Sequence, residues 1–432
     1  MHHIDNPIFR ACQAYVSASP VRMHMPGHKG RPDFMPPEIS LDLTELKETG
    51  SATEYGDDVF SAAFAEASKL YGTSATVYSS AGSTLALQAA IKLAAGMKPV
   101  FACFRSIHRS AVNAMALLGI DPVWIYSPDE IPHDAAVIVT SPDYYGRMAD
   151  IASLSALAHE RNGLLIVDGA HGAHLWFYGG GYLHPLKNGA DFVAESLHKT
   201  LPALTGSALL HAAIKDVTAD DCLSAMRLFC STSPSYLINL SSEACLYQMS
   251  RCGDALLSGL LRRTEGFISA TEPLGYHFLR GDDTDPFRIT IRTKDGRRLG
   301  DELSKRGVEC ELSDSGSVVL IPSVSSTEED FRRLSDACLD LTELSSPPTD
   351  EAFSGMYDMP KPKKAMTLRE AVLSPHETVK AAESAGRICC EAATPYPPGV
   401  PVVMPGEIIS PEAAEILSRS GIDSVRVTKR RQ

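Results

Sequence analysis

The chain has 432 residues, of which 44% are hydrophobic and 22% are charged. These proportions are typical of globular proteins and exclude collagen-like, coiled-coil and intrinsically disordered chains. The formal net charge of −13 makes nucleic acid and anionic membrane surfaces unfavourable partners. The length is sufficient for two or three domains with a sizeable core.

The cysteines and the N-terminus indicate a cytoplasmic protein. No apolar run approaches the roughly 20 residues that span a membrane. Residues 1–20 lack the basic region and apolar core of an export signal. The ten cysteines are scattered without a CxxC pair, which excludes zinc-knuckle and thioredoxin-like sites. We therefore expect reduced thiols and no metal.

From about residue 75, short apolar runs rich in β-branched residues alternate with segments of helical spacing. The runs predict seven strands, at Ala75–Ser79, Pro99–Cys103, Pro122–Tyr126, Ala135–Ser141, Gly163–Val167, Asp191–Ala194 and Ser207–Ala212. The segments predict helices, among them Ser83–Ala95, Ser110–Leu118 and Ile151–Arg161. This order predicts an α/β fold with a mostly parallel sheet covered on both faces. Ligands bind such sheets at the carboxyl ends of the strands.

The composition changes after this region. Thr271–Ser345 mixes helical stretches with the strand-like runs Phe287–Arg292 and Ser317–Pro322, which predicts a smaller α+β domain. A segment rich in Pro, Ser and Lys follows, then a helix near Thr367–Leu373 and an extended, proline-rich loop at Thr394–Pro405. We divide the chain into an N-terminal arm (1–50), a large domain (51–270), a small α+β domain (271–345), a linker (346–365) and a C-terminal segment (366–432).

Two polar side chains follow neighbouring predicted strands. Asp168 comes directly after Gly163–Val167, and Lys199 comes shortly after Asp191–Ala194. The pair suits a site for pyridoxal 5′-phosphate (PLP). The lysine can form a Schiff base with the cofactor's aldehyde, and the aspartate can hold the proton on the pyridinium nitrogen, which keeps the ring an electron sink. Their separation fits one crossover between adjacent strands.

Two further features belong to the same edge of the predicted sheet. The run Ser80–Thr84 follows a strand and opens a helix, so its small residues and the helix N-terminus suit a phosphate. His108 follows the next strand and is placed to lie over a planar ring. Each feature alone is more simply a turn, a helix cap or a solvated side chain. Together and in this order they favour a PLP enzyme of fold type I.

These motifs resemble those of the Orn/Lys/Arg decarboxylase family of PLP enzymes. The matching stretches cover nearly the whole chain: His24–Gly30, Ser80–Thr84, Ser106–Ser110, Ser141–Gly146, Asp168–His171, Ser196–Thr205, Ser231–Tyr236, Pro395–Pro401 and Pro405–Glu407. The resemblance is to the short form of the family, which lacks the N-terminal wing domain of the long bacterial enzymes.

The resemblance implies a role for each matching residue. Lys199 would be the Schiff-base lysine, Asp168 the partner of the pyridine nitrogen, and His108 the residue that stacks on the ring. Ala170 would pack against the opposite ring face. The residues implied at the cofactor's phosphate are Ser83, Thr84, Ser196 and His198, with the Gly82 backbone close by.

The resemblance also implies a homodimer or larger homo-oligomer with the active site at the interface, and a place in polyamine biosynthesis. Within the C-terminal motif we expect Glu407 to recognise the distal cation of the substrate, because a carboxylate suits an amino or guanidinium group. The alternative for Glu407 is a cap of the helix that starts near Ser410.

Three positions depart from the family pattern. Gly169 stands where a glutamate is frequent, Arg109 replaces a lysine, and Asp143 replaces a threonine. The predicted function is PLP-dependent decarboxylation of arginine, lysine or ornithine to the amine and carbon dioxide. One alternative is another fold type I PLP enzyme, an aminotransferase or a lyase, since the orientation about Cα decides which bond breaks. The other, suggested by Gly169, is a non-catalytic relative that binds PLP or a basic amino acid.

Overall fold

The computed structural model describes residues 18–23, 29, 51–56, 58–347, 361–394 and 401–429. Most of the predicted arm, the centre of the predicted linker and the prolines of 395–400 therefore lie outside the described residues, as does the motif 24–30 apart from Lys29. Within the described residues, no helix is both long and apolar enough to cross a membrane.

The first strand, β1 (Val21–Met23), pairs with a distant part of the chain, and the next seven form one sheet. These are β2 (Ala75–Ser79), β3 (Val100–Phe104), β4 (Val123–Ile125), β5 (Ala135–Thr140), β6 (Leu164–Asp168), β7 (Phe192–Ser196) and β8 (Ala208–Ala212). Their spatial order is β2-β8-β7-β6-β5-β3-β4. Strands β3 to β7 are parallel, and β8 is antiparallel to both of its neighbours. The predicted mostly parallel, seven-stranded sheet is confirmed, and every predicted strand overlaps an observed one.

Helices cover both faces of this sheet, and each face has its own buried apolar cluster. They are α1 (Val59–Tyr71), α2 (Gly82–Ala95), α3 (Arg109–Leu118), α4 (Ile151–Glu160), the single turn α5 (Leu197–Thr200), α6 (Ala219–Met226) and the long α7 (Tyr236–Thr271). Burial on both faces explains why the inner strands are continuous apolar runs rather than alternating ones. The three helices named from the sequence correspond to α2, α3 and α4.

The long helix α7 was not predicted, because serines and glycines interrupt its apolar pattern. Gly253 lies at its centre, where a Cβ atom would come within 2.9 Å of the Phe177 Cβ atom. The glycine is therefore needed for the close approach of α7 to the segment that contains Phe177, although glycine weakens the helix by about 1 kcal/mol relative to alanine. The helix is N-capped by Ser235, whose side chain accepts a hydrogen bond from the Ile238 backbone.

The small domain contains an antiparallel sheet of order β12-β13-β10-β9. Its strands are β9 (His277–Phe278), β10 (Ile289–Arg292), β12 (Leu312–Ser313) and β13 (Ser317–Leu320), with β11 (Val308–Cys310) between them in sequence and helices α8 (Gly296–Lys305) and α9 (Glu328–Leu339) packed alongside. Strand β11 pairs in parallel with β1, and the Lys29 Nζ atom donates a hydrogen bond to the Ile321 carbonyl at 2.7 Å. The described N-terminal residues are thus attached to the small domain.

The C-terminal segment comprises α10 (Leu368–Leu373), the antiparallel pair of β14 (His376–Lys380) and β15 (Ser424–Thr428), and α11 (Pro411–Arg419). Ser410 caps α11 by accepting a hydrogen bond from the Ala413 backbone. Residues 401–409 precede this helix and lie against the carboxyl end of β3, because Arg105 there binds their backbone carbonyls. This contact brings the C-terminal segment to the edge where the predicted site lies.

Candidate active site

Asp168 and Lys199 lie at the carboxyl ends of adjacent parallel strands. Asp168 is the last residue of β6 and is 4% exposed, and Lys199 lies in α5, directly after β7. One carboxylate oxygen of Asp168 accepts a hydrogen bond from the Ala170 backbone at 3.2 Å. Burial lowers the pKa of Lys199, while the charge of Asp168 opposes that shift, so the two groups share one electrostatic environment.

His108 reaches the same place from the end of β3. It is the N-cap of α3, where its Nδ1 atom accepts a hydrogen bond from the Ser110 backbone at 3.2 Å and lies 2.7 Å from the Ser110 hydroxyl. Desolvation lowers the pKa of His108, the charge of Asp168 raises it, and that of Lys199 lowers it further. The net effect lowers the pKa of His108, which favours the neutral imidazole, and the ring is close enough to Asp168 and Lys199 for both charges to act on it. Such a ring can stack on a planar group.

The N-terminus of α2 forms a cradle for an anion. Gly82 has a φ of +74° and donates its backbone N–H to the Gly206 carbonyl at 2.8 Å, which holds the turn in a conformation that favours glycine. The N-cap residue, Ala81, provides no side-chain hydrogen bond to the helix. The Ser196 hydroxyl, from the end of β7, donates to the Ser83 hydroxyl at 2.8 Å. An uncapped helix N-terminus beside two hydroxyl groups suits a phosphate.

The remaining predicted cofactor residues surround these groups. Thr84 is exposed in the first turn of α2, and Ala170 is buried two residues after Asp168. The His198 Nδ1 atom lies 2.9 Å from the Ser207 carbonyl, which fixes the orientation of its ring. The groups at this edge therefore provide a lysine amine, a buried carboxylate, a flat neutral ring and an anion cradle. This set of groups fits PLP, for which the roles of the individual residues remain predictions.

The sequence motifs did not single out two side chains that act on Lys199, one by direct contact and one through its charge. The His171 Nε2 atom lies 3.1 Å from the Lys199 Nζ atom, and the charge of buried Arg288 acts on both residues. His171 ends the motif that begins at Asp168, so its position in the sequence could have indicated it. Arg288 comes from the small domain, just before β10, and no local pattern marks it.

The glycine at position 169, where the family often has a glutamate, lies close to the buried side chain of Glu195. A Cβ atom at Gly169 would lie 3.2 Å from the Val193 Cγ1 atom and 3.6 Å from the Glu195 Cγ atom. Glu195 is fully buried and accepts hydrogen bonds from the Nε2 atoms of His184 and His211. Burial alone would raise the pKa of Glu195, but the two histidines outweigh it and lower the pKa to about 2. A glutamate at position 169 would therefore approach a second buried carboxylate, which the glycine avoids.

Asp143, which departs from the family pattern, forms hydrogen bonds within its own loop. Its Oδ1 atom accepts hydrogen bonds from the backbone N–H groups of Tyr145 and Arg147, at 2.9 and 2.8 Å. Burial raises the pKa of Asp143, and these two bonds partly offset that effect. The carboxylate thus shapes the turn of Ser141–Gly146. Nothing in the structure explains the arginine at position 109, which is exposed.

Glu407 requires a correction. Its carboxylate oxygens accept hydrogen bonds from Arg105 Nη1 and Nη2 at 2.7 and 2.9 Å, and the Met404 backbone donates a third at 2.7 Å. Glu407 is 3% exposed and Arg105 is 7% exposed. The guanidinium that Glu407 binds therefore belongs to this chain, which disagrees with the predicted role in binding the substrate's cation. The helix-cap alternative is also wrong, because Ser410 caps α11.

We expect Glu407→Gln to destabilise the protein by about 3–5 kcal/mol, since removing one partner of a buried ion pair leaves the other charge uncompensated. The measurement is the free energy of unfolding in urea. Glu412→Gln is the matched control, because Glu412 is exposed on α11, and we expect it to change stability by less than about 0.5 kcal/mol.

The double variant Arg105→Met with Glu407→Leu separates charge from packing. If the buried charge of Arg105 causes the loss, the double variant will be more stable than Glu407→Gln, because both charges are then absent. A Glu407→Gln protein as stable as the wild type would contradict the assignment of this ion pair.

The fold and the site together define the class of enzyme to which the chain belongs. A mostly parallel seven-stranded large domain, with a lysine, an aspartate and a histidine at its strand ends and a smaller α+β domain beyond it, is the architecture of fold type I PLP enzymes. Sequence models of the family match residues 127–274 ("Orn/Lys/Arg decarboxylase, major domain") and residues 349–419 ("Orn/Lys/Arg decarboxylase, C-terminal domain"). The chain belongs to the Orn/Lys/Arg decarboxylase family and is an amino-acid decarboxylase.

Individual relatives agree with this assignment. The chain is 24% identical to an arginine decarboxylase of Bacillus anthracis, over 96% of this chain and 93% of the relative. It is 26% identical to an arginine decarboxylase of Bacillus subtilis (strain 168), over 95% of this chain and 93% of the relative. Among solved structures, lysine decarboxylase A of Pseudomonas aeruginosa superposes with a TM-score of 0.74 at 16% identity, covering 90% of this chain and 74% of that one. At that identity the structural match shows the fold alone.

Proposed function

We propose that the protein binds PLP and uses it to decarboxylate a basic amino acid, with arginine as the preferred substrate. The observation that carries the proposal is the convergence of Lys199, Asp168 and His108 at the ends of β7, β6 and β3, where the charge of Asp168 acts on both of the other side chains. Arginine is proposed before lysine and ornithine because the two curated relatives described above are named arginine decarboxylases.

Different groups at the site would bind different parts of the cofactor. The α2 N-terminus, with the hydroxyls of Ser83, Thr84 and Ser196 and the nearby His198, would hold the phosphate. The ring would lie between His108 and Ala170, with its nitrogen at Asp168. When bound, PLP supplies an electron sink for the electron pair that remains at Cα once the carboxylate leaves.

The residues of the chain then have distinct tasks. Lys199 must present a neutral amine to the aldehyde carbon, and burial favours this by lowering its pKa. Asp168, as a carboxylate, would hold a proton on the ring nitrogen. His108 would pack against one face of the ring and hold its plane in a fixed orientation.

We extend the proposal to a homodimer, or a larger homo-oligomer, in the cytoplasm. The support is the family resemblance, in which the site lies at a subunit interface. Size-exclusion chromatography with light scattering tests the assembly, and a monomer that retains full activity would contradict it.

A panel of arginine, lysine and ornithine tests the reaction. We expect carbon dioxide release with arginine at the highest kcat/KM. The Lys199→Ala protein is the blank for turnover that does not depend on the site. Keto-acid formation in place of carbon dioxide would favour an aminotransferase. Binding of PLP or a basic amino acid without turnover would favour the non-catalytic alternative, which Gly169 suggested from the sequence.

A further inference from the structure

His171 is a buried histidine in direct contact with the lysine of the site. Its Nε2 atom lies 3.1 Å from the Lys199 Nζ atom, and the residue is 4% exposed. The other ring nitrogen, Nδ1, is also buried and has no hydrogen-bond partner in the described part of the chain. The Tyr144 ring packs against the imidazole with a centroid distance of 4.6 Å. The imidazole is therefore held in place with one nitrogen directed at the reacting amine.

The groups around His171 oppose a positive charge on it. Burial lowers the pKa of His171 well below its ordinary value, and the charges of Lys199, Arg288, His108 and His198 lower it further. Burial lowers the pKa of Lys199 as well, and Arg288 adds to that effect, although the carboxylates of Asp168 and Glu311 oppose it. When two bases are in hydrogen-bond contact and burial lowers the pKa of each, they titrate as a pair. The environment favours one proton on this pair over two.

We propose that His171 is a catalytic base that exchanges a proton with Lys199 when the lysine bonds to the cofactor. The proton on the Lys199 Nζ atom passes to the His171 Nε2 atom, which frees the amine lone pair to attack the aldehyde carbon. The attacking amine still carries two protons. One of them moves to the aldehyde oxygen, His171 returns the first proton to the same oxygen, and the oxygen leaves as water. The third proton stays on the nitrogen of the new C=N bond, so protons and electrons balance without another reactant. The inference deepens the proposed function and depends on it.

The contact geometry fits this role better than a purely structural one. A buried ring nitrogen without a partner costs about 1–3 kcal/mol, and among the described residues the Nδ1 atoms of both His171 and His174 have none. The two histidines differ at Nε2, which lies 3.1 Å from an Asp285 carboxylate oxygen in His174 and 3.1 Å from the Lys199 amine in His171. Because the surroundings disfavour the imidazolium, a proton that reaches His171 is readily returned.

The test is the rate at which cofactor-free protein takes up PLP, followed by visible absorbance as a function of pH. We expect His171→Gln to slow uptake about 100-fold at neutral pH, the lower end of what a positioned acid–base group contributes. The deficit should shrink as the pH rises, since hydroxide then removes the proton. His174→Gln is the matched control, because His174 is buried in the same loop but contacts Asp285 rather than Lys199, and it should keep the wild-type rate.

Chemical rescue separates a base from a structural residue. Added imidazole should restore much of the uptake rate of a His171→Ala protein, because it can occupy the space and accept the proton. The proposal is overturned if His171→Gln takes up PLP at the wild-type rate throughout the pH range. It is also overturned if the slowed variants respond to neither pH nor imidazole.

A second readout works without the cofactor. If the wild-type protein took up no PLP, the proposed function would fail, and acetylation of Lys199, measured by peptide mass spectrometry, would still test the pair. The exposed Lys215 provides the internal reference. Slower acetylation of Lys199 in His171→Gln at neutral pH supports the proton exchange, and equal acetylation in the two proteins overturns it.

Discussion

Lys199→Ala is expected to abolish the covalent attachment of PLP and to lower decarboxylation by about 10⁴-fold or more, a loss comparable to removing the nucleophile of other covalent enzymes. The reason is positional as well as chemical. Lys199 lies in a single helical turn at the end of β7, near Asp168 and in contact with His171, and desolvation lowers the pKa of its amine. The visible absorbance of the purified protein and trapping with borohydride measure the attachment, and carbon dioxide release measures the activity.

Lys215→Ala is the matched control for this experiment. Lys215 is an exposed lysine that lies three residues after β8, outside the site, so its removal should leave both readouts unchanged. A Lys199→Ala protein that still forms a borohydride-reducible adduct at another lysine would show that the assignment of Lys199 is wrong.

The sequence was informative where function depends on strand ends. Asp168, Lys199 and His108 could be predicted together because parallel strands bring their carboxyl ends to one edge, and the apolar runs located those ends within a residue or two. The cradle at Gly82 could be predicted for the same reason, since a strand directly followed by a helix start is a local pattern.

Contacts between distant segments could not be predicted in this way. Arg105 and Glu407 are 302 residues apart, and nothing in either local pattern indicates that one neutralises the other. The prediction for Glu407 assumed that the cation bound by this carboxylate comes from the substrate, whereas the structure shows the guanidinium of Arg105 there. The effect of Arg288 on Lys199 has the same origin, because it depends on how the small domain packs against the large one.

Asp168→Asn is expected to lower the rate of decarboxylation about 1,000-fold while leaving the uptake of PLP intact. An amide has nearly the size of the carboxylate and can still accept the hydrogen bond from the Ala170 backbone, so the loop should keep its shape. The amide cannot stabilise a proton on the pyridine nitrogen, and the ring then becomes a weaker electron sink. We therefore expect the substitution to lower kcat and to leave the binding of the cofactor unchanged.

The two readouts of Asp168→Asn differ for an electrostatic reason. The Asp168 charge raises the pKa of Lys199 against the effect of burial, so its removal lowers that pKa and leaves more of the amine neutral at neutral pH. Uptake of PLP should be as fast as in the wild type or faster, while turnover collapses. Asp191→Asn is the control, because Asp191 lies just before the amino end of β7 and binds His159 there, at the opposite edge of the sheet. Unchanged turnover in Asp168→Asn would mean that the protonated ring nitrogen plays no part in the reaction, and the electron-sink role assigned to Asp168 would have to be abandoned.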